Sequence, residues 1–136
     1  MSMTYWGITG FGVCLTDIDK YLNKEKVNKF VRLGNPSMTF EDDVFDDYTF
    51  YGDPYNNLAE FLCEFDDKNI LTYDDNGEND AYLLYVPPYP WRATKNEPKS
   101  QIELEDYILS ILRKVYDADD YELRKSLDYI NTWGCG

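Results

Sequence analysis

Residues 41–57, EDDVFDDYTFYGDPYNN, open on the densest run of carboxylates in the chain. Glu41, Asp42, Asp43, Asp46 and Asp47 put five carboxylates into seven residues, with aromatic rings among and after them. Three kinds of chemistry use such a set. Hard cations take clustered carboxylates. Glycosidases need two carboxylates at a fixed separation across a sugar cleft. A surface that grips a cationic protein combines carboxylates with rings, because interface cores favour Tyr and Trp. Adjacent aspartates mostly point to different sides, so this run predicts weak, adventitious Mg2+ or Mn2+ binding rather than a dedicated site. No metal or cofactor is expected. No spacing selects two of the acids as a catalytic pair, and no catalytic residue is nominated.

The charge is concentrated. The chain carries a formal net charge of −13, and residues 41–80 hold fourteen acids against one base, Lys68, so that segment alone accounts for the whole excess. The flanks cancel. Such a charge repels nucleic acid and anionic membranes and steers a cationic partner. Rings that bind nucleic acid are interleaved with Lys and Arg, whereas Phe40, Phe45, Tyr48, Phe50, Tyr51 and Tyr55 are interleaved with Asp. Direct nucleic-acid binding is therefore not expected, and a basic protein partner is. The candidate partner surface comprises Glu41, Asp42, Asp43, Asp46, Asp47, Tyr48, Tyr51, Asp53, Tyr55, Glu60 and Glu64.

Other chemistries are disfavoured by what the chain lacks. Histidine is absent, which removes the commonest general base and zinc ligand and every His-based nucleophile pair. Cys14, Cys63 and Cys135 are odd in number and far apart; with no visible secretory signal, they read as reduced thiols in a cytoplasmic protein. Cys63 lies beside Glu64 and Cys14 in an apolar strand, so neither has the positive neighbour that activates a thiol. Gly7, Gly10 and Gly12 are spaced G-x-x-G-x-G, unlike a dinucleotide fingerprint, and predict a bulged or bent strand. Aligning Gly77 with the calcium-loop glycine puts Thr72 and Leu83 where carboxylates are required, so the EF-hand reading fails. Pro87-x-x-Pro90 has the minimal spacing of an SH3 ligand but reads better as the end of a strand. No apolar run approaches the ~18 residues of a membrane span.

These residues need a frame. A length of 136 residues, 43% hydrophobic and 17% aromatic, suits one compact domain and argues against disorder. Residues 4–15 predict a strand. Thr16 is placed as the cap of a helix reaching about residue 32, stopped by Gly34-Asn35-Pro36. Residues 39–52 read as a short helix or irregular stretch followed by an extended YTFYG. Asp53-Pro54 starts a helix in which Leu58, Phe61, Leu62 and Phe65 share one face, with Glu60, Glu64 and Asp66 outward. ILTYDDNGENDAYLLYVPP predicts a hairpin turning at Asn76-Gly77. Ser100 and Glu103 form a capping box before the strongest helix. Asp120, Leu123, Leu127, Ile130 and Trp133 predict a last helix ending at Gly134. The fold class is α+β: a small, mostly antiparallel sheet of the N-terminal strand plus the hairpin near 70–87, covered by three to four helices.

In charge, size and missing histidine, the chain resembles the small acidic DNA-mimic inhibitors that phages and mobile elements use against nucleases. Duplex DNA carries one charge per ~1.7 Å of axis, so thirteen aligned charges imitate about 22 Å of duplex. That resemblance implies a basic nucleic-acid-binding protein as target. The functional expectation is a non-enzymatic protein that works by protein–protein interaction. Its rivals are a small enzyme or ligand-binding domain with a carboxylate and tyrosine pocket, and a plain domain whose acidity only serves solubility.

Overall fold

The computed structural model describes residues 5–27, 29, 54–75 and 81–135. It is an α+β fold built on a four-stranded antiparallel sheet in the order β2-β3-β1-β4. β1 spans Tyr5–Cys14, β2 Leu71–Asp75, β3 Ala81–Tyr85 and β4 Leu127–Cys135. Among the described residues it is accompanied by a helical turn at residues 24–27 and by α1 at Pro54–Cys63, α2 at Gln101–Leu112 and α3 at Asp120–Lys125.

The expected N-terminal strand and hairpin are present, and β1 pairs with both β3 and β4. Leu71 pairs with Tyr85 and Asp75 with Ala81, so five residues separate the hairpin strands. The Asn76-Gly77 turn lies outside the described residues, as does the segment 39–52. Alternation puts Phe11, Val13, Leu83, Tyr85 and Leu127 on one face of the sheet. They join a core with Leu58 and Leu62 of α1, Leu104, Ile108, Leu109, Ile111 and Leu112 of α2, and Leu123 of α3. Each fully buried leucine contributes roughly 1.5–3 kcal/mol. Leu84 sits on the opposite face and is also completely buried.

The glycines of β1 act differently from the expectation. The register from Tyr5↔Cys135 to Val13↔Leu127 runs without a skipped residue, and so does that from Phe11↔Tyr85 to Cys14↔Tyr82. There is no bulge. Instead the neighbouring strand is too close for a side chain: a Cβ on Gly10 would stand 2.6 Å from the Tyr85 carbonyl oxygen, and one on Gly12 would fall onto the Leu83 carbonyl.

Two helix expectations are corrected. The segment after β1 is a 3-10 helix, Leu15–Tyr21, entered from Cys14 with no side-chain cap, so Thr16 is not its cap. It breaks at Leu22, which forms a bridge with Tyr116. The Asn23 N–H donates to the Val115 carbonyl at 2.8 Å, and the Asp117 N–H to the Tyr21 carbonyl at 2.7 Å. Asn23 then caps the next helical turn by accepting from the Lys26 N–H at 3.1 Å. Tertiary pairing to residues 115–117 thus overrides a continuous helix.

The last helix is the second correction. α3 begins with Asp119 accepting from the Glu122 N–H at 2.8 Å, but it ends at Lys125. Leu127 onward is strand, because an aromatic and β-branched run finds the open side of β1.

α2 begins as expected. Ser100 Oγ accepts from the Glu103 N–H at 3.1 Å, while the Glu103 carboxylate accepts from the Lys99 N–H at 3.1 Å, one residue before the usual partner. Removing the cap with Ser100→Ala is expected to lower unfolding stability by about 1 kcal/mol, read from urea denaturation.

Candidate partner-binding surface

Of the expected acidic surface, Glu41, Asp42, Asp43, Asp46, Asp47, Tyr48, Tyr51 and Asp53 lie outside the described residues. Tyr55 lies in the first turn of α1, with its side chain outside the described set. Glu60, in the last turn of α1, and Glu64, one residue past its end, are described and both exposed. Leu58 and Leu62 of α1 are buried, so the Glu60 carboxylate rides the outer side of an amphipathic helix, with Glu64 exposed just past its end. Among the described residues neither carboxylate forms an ion pair.

Asp66, expected to face outward, is drawn inward. Its carboxylate accepts from the Tyr107 hydroxyl at 2.5 Å and from the Leu71 N–H at 2.7 Å, tying the end of α1 to α2 and β2. The one base of the acidic block is used in the same place. The Lys68 N–H donates to the Tyr107 oxygen at 3.2 Å, and its ammonium stands 4.9 Å from the Tyr107 ring centre. Burial, followed by the bond to Asp66, pushes the Tyr107 hydroxyl up to about 12. An unfolded tyrosine ionises near 10, so this contribution is intact below pH about 10 and is lost as pH rises toward about 12. The Cys63 thiol, also raised to about 12 by burial first and Asp66 and Glu60 next, acts in an overlapping alkaline range. Alkaline denaturation is therefore expected to be shallower for Tyr107→Phe than for the wild type, with the difference between the two curves confined to that range.

Part of the flanking charge is paired in space. Lys26 pairs with Asp117, and Arg113 with Asp120. Arg124 bridges Glu105 at 3.3 Å and Asp106 at 2.6 Å, while Lys125 meets Glu122 at 2.8 Å. Hydrogen bonds from Lys26 and Asn23 hold the Asp117 carboxyl below its ordinary range, and those from Lys125 and Tyr21 do the same for Glu122. Arg113, Arg124 and Lys125 are thereby paired internally, whereas Glu60 and Glu64 form no ion pair among the described residues. These exposed pairs add little stability.

The thiols are unactivated. Burial raises Cys14, which contacts the Thr16 hydroxyl at 3.0 Å, and Cys63 more strongly. Among the described residues no three potential ligands gather at a metal-binding distance, and no helix is long and apolar enough to cross a membrane.

A second feature had no signal in local sequence. A cleft of about 220 Å³ opens between the sheet and the start of α2, lined by Thr9, Gly10, Phe11, Tyr85, Pro87, Gln101, Leu104 and Tyr129. Phe11 and Tyr129 meet edge to face at 5.3 Å. The Tyr85 hydroxyl reaches toward Glu97 at 3.4 Å, which with burial raises its pKa. Tyr129 is 73% exposed. Just beyond β3, Tyr89 and Trp91 are exposed and stack in parallel at 4.9 Å. Pro90 starts a 3-10 turn, Pro90–Arg92, so the Pro87-x-x-Pro90 run is not one continuous polyproline helix. No family model, curated protein or solved structure matches this chain.

Proposed function

We propose that this protein acts inside the cell, without catalysis, by binding a basic partner protein through its acidic face. The observation that carries the reading is that, while Arg113, Arg124 and Lys125 are paired internally, Glu60 and Glu64 stand exposed with no ion pair among the described residues. They belong to a block that nets −13. Uncompensated carboxylates on a helix face raise the encounter rate with a cationic surface and penalise anionic competitors. A nucleic-acid-binding protein is the partner class that such a face suits best, as a duplex-like target of charge. The test compares wild type with Glu60→Lys/Glu64→Lys. Reversal is expected to weaken capture of the partner at least tenfold at low salt; equal capture by both proteins contradicts the reading.

The cleft supports a second reading, a small-ligand site in which Tyr85 and Tyr129 supply hydroxyls and Phe11 and Leu104 an apolar floor. Its lining holds no carboxylate; Glu97 touches it only through Tyr85. Ligand-induced shifts at Phe11 and Leu104 that ignore Glu60 and Glu64 would favour it.

A further inference from the structure

The two edges of the sheet are unlike. β2 is five residues long, ends in Asp74 and Asp75, and packs beside α1. Shortness, charge and cover are the devices that keep an edge from pairing with another chain. β4 is nine residues long and contains no Lys, Arg or Pro. Asp128, Tyr129 and Asn131 are exposed on it. Among the described residues, its strand partner is β1 alone.

The direction of its backbone can be read from one hydrogen bond. The Tyr129 N–H donates to the Asp128 carboxylate at 2.8 Å and so is turned away from the β1 ladder. In an antiparallel strand, alternate residues present N–H and C=O to the same side. Tyr129, Asn131 and Trp133 therefore present theirs to the open edge. Asp128 has no cationic partner among the described residues. Tyr129 stands at the mouth of the apolar cleft, where its ring meets Phe11.

We propose that the outer edge of β4, from Asp128 to Trp133, docks an extended, lysine- or arginine-rich strand of the partner protein. The incoming strand completes the row of hydrogen bonds at Tyr129, Asn131 and Trp133. One of its cations meets Asp128 on one face. On the other, an apolar side chain covers the Tyr129 ring at the cleft mouth, as directly opposed cross-strand pairs do. Main-chain bonds supply affinity and alternate side chains supply choice. The net charge of −13 argues against a second copy of this chain as occupant and for a cationic one. The proposal rests on the basic-partner reading and adds to it the place and backbone form of the contact.

The test uses the full chain and a synthetic alternating lysine–valine peptide, followed by amide NMR and hydrogen exchange. Binding is expected to shift and protect the Tyr129, Asn131 and Trp133 amides, with strand-to-strand contacts to the peptide. A glutamate–valine peptide is expected to bind at least tenfold more weakly. Asn131→Pro, which deletes an outward N–H, is expected to abolish the β4 response while protection of Phe11 and Val13 reports an intact β1. Asn131→Lys keeps the backbone donor and sets a like charge beside the peptide, for a loss of about fivefold. Two results overturn the proposal: equal binding of both peptides, or peptide shifts confined to α1 around Glu60 and Glu64 with β4 exchange unchanged. The second leaves the basic-partner reading standing. Unchanged partner capture after reversal at Glu60 and Glu64 removes that reading itself.

Discussion

Gly12→Ala is expected to be the most damaging conservative substitution in the described fold, costing about 3 kcal/mol. The ordinary penalty for β-strand glycine runs the other way, since glycine loses the most backbone entropy on folding. Here the close approach of β3 decides the sign. The added methyl would meet the Leu83 carbonyl, with the Leu84 Cα at 3.0 Å. These are backbone atoms of a paired strand and cannot swing aside as the tip of a side chain would. Either β1 and β3 separate, with loss of ladder bonds on both sides of Gly12, or the core beneath Val13 and Leu83 shifts. Gly10→Ala meets the Tyr85 carbonyl oxygen at 2.6 Å and a Val86 methyl at 3.2 Å, a milder clash than that at Gly12, so it should cost less. Equilibrium urea unfolding ranks the two. A Gly12→Ala protein as stable as wild type would show that the strands do not approach as described.

Asp66→Ala is the second large effect, about 3 kcal/mol, because one carboxylate serves two donors from different elements. Hydrogen bonds to a charged group contribute roughly 1.5–3 kcal/mol, and donors left buried without an acceptor add a penalty. The Leu71 N–H at the start of β2 and the Tyr107 hydroxyl on α2 both lose their acceptor. Tyr107→Phe removes a single bond and should cost about 1.5 kcal/mol. The two substitutions share one interaction, so the double variant should fall short of their sum by about 1 kcal/mol. Strict additivity would mean that Tyr107 and Asp66 do not interact in solution.

What could be read from the sequence was local. α1 and α2 announce themselves by period and by their starts, Pro54 in the first helical position and Ser100 before Glu103. The hairpin strands carry β-forming residues on either side of a turn. The last element was misread because Leu123, Leu127, Ile130 and Trp133 also satisfy a helical spacing. Only β1, more than a hundred residues away in sequence, provides the ladder that makes Leu127–Cys135 a strand. Thr16 failed as a cap for a similar reason, since residues 115–117 claim the backbone of Tyr21 and Asn23. Asp66 looked like one more outward acid because nothing nearby in sequence reveals Tyr107. The cleft needs Thr9, Tyr85, Leu104 and Tyr129 together, and it could not be found before β4 was known to be a strand. The charge block is a property of the sequence itself, and of its candidate surface only Glu60 and Glu64 have described side chains, both exposed.

The central claim is that uncompensated acidity on this fold selects a basic protein partner. Its most direct measurement is the dissociation constant of the captured complex as a function of salt, for wild type and for Glu60→Lys/Glu64→Lys. Wild-type affinity is expected to fall steeply between about 0.05 and 0.5 M salt, as screening shortens the reach of the charges, with a shallower dependence, from a weaker start, for the reversed protein. A dissociation constant that is flat in salt and equal for the two proteins would contradict it.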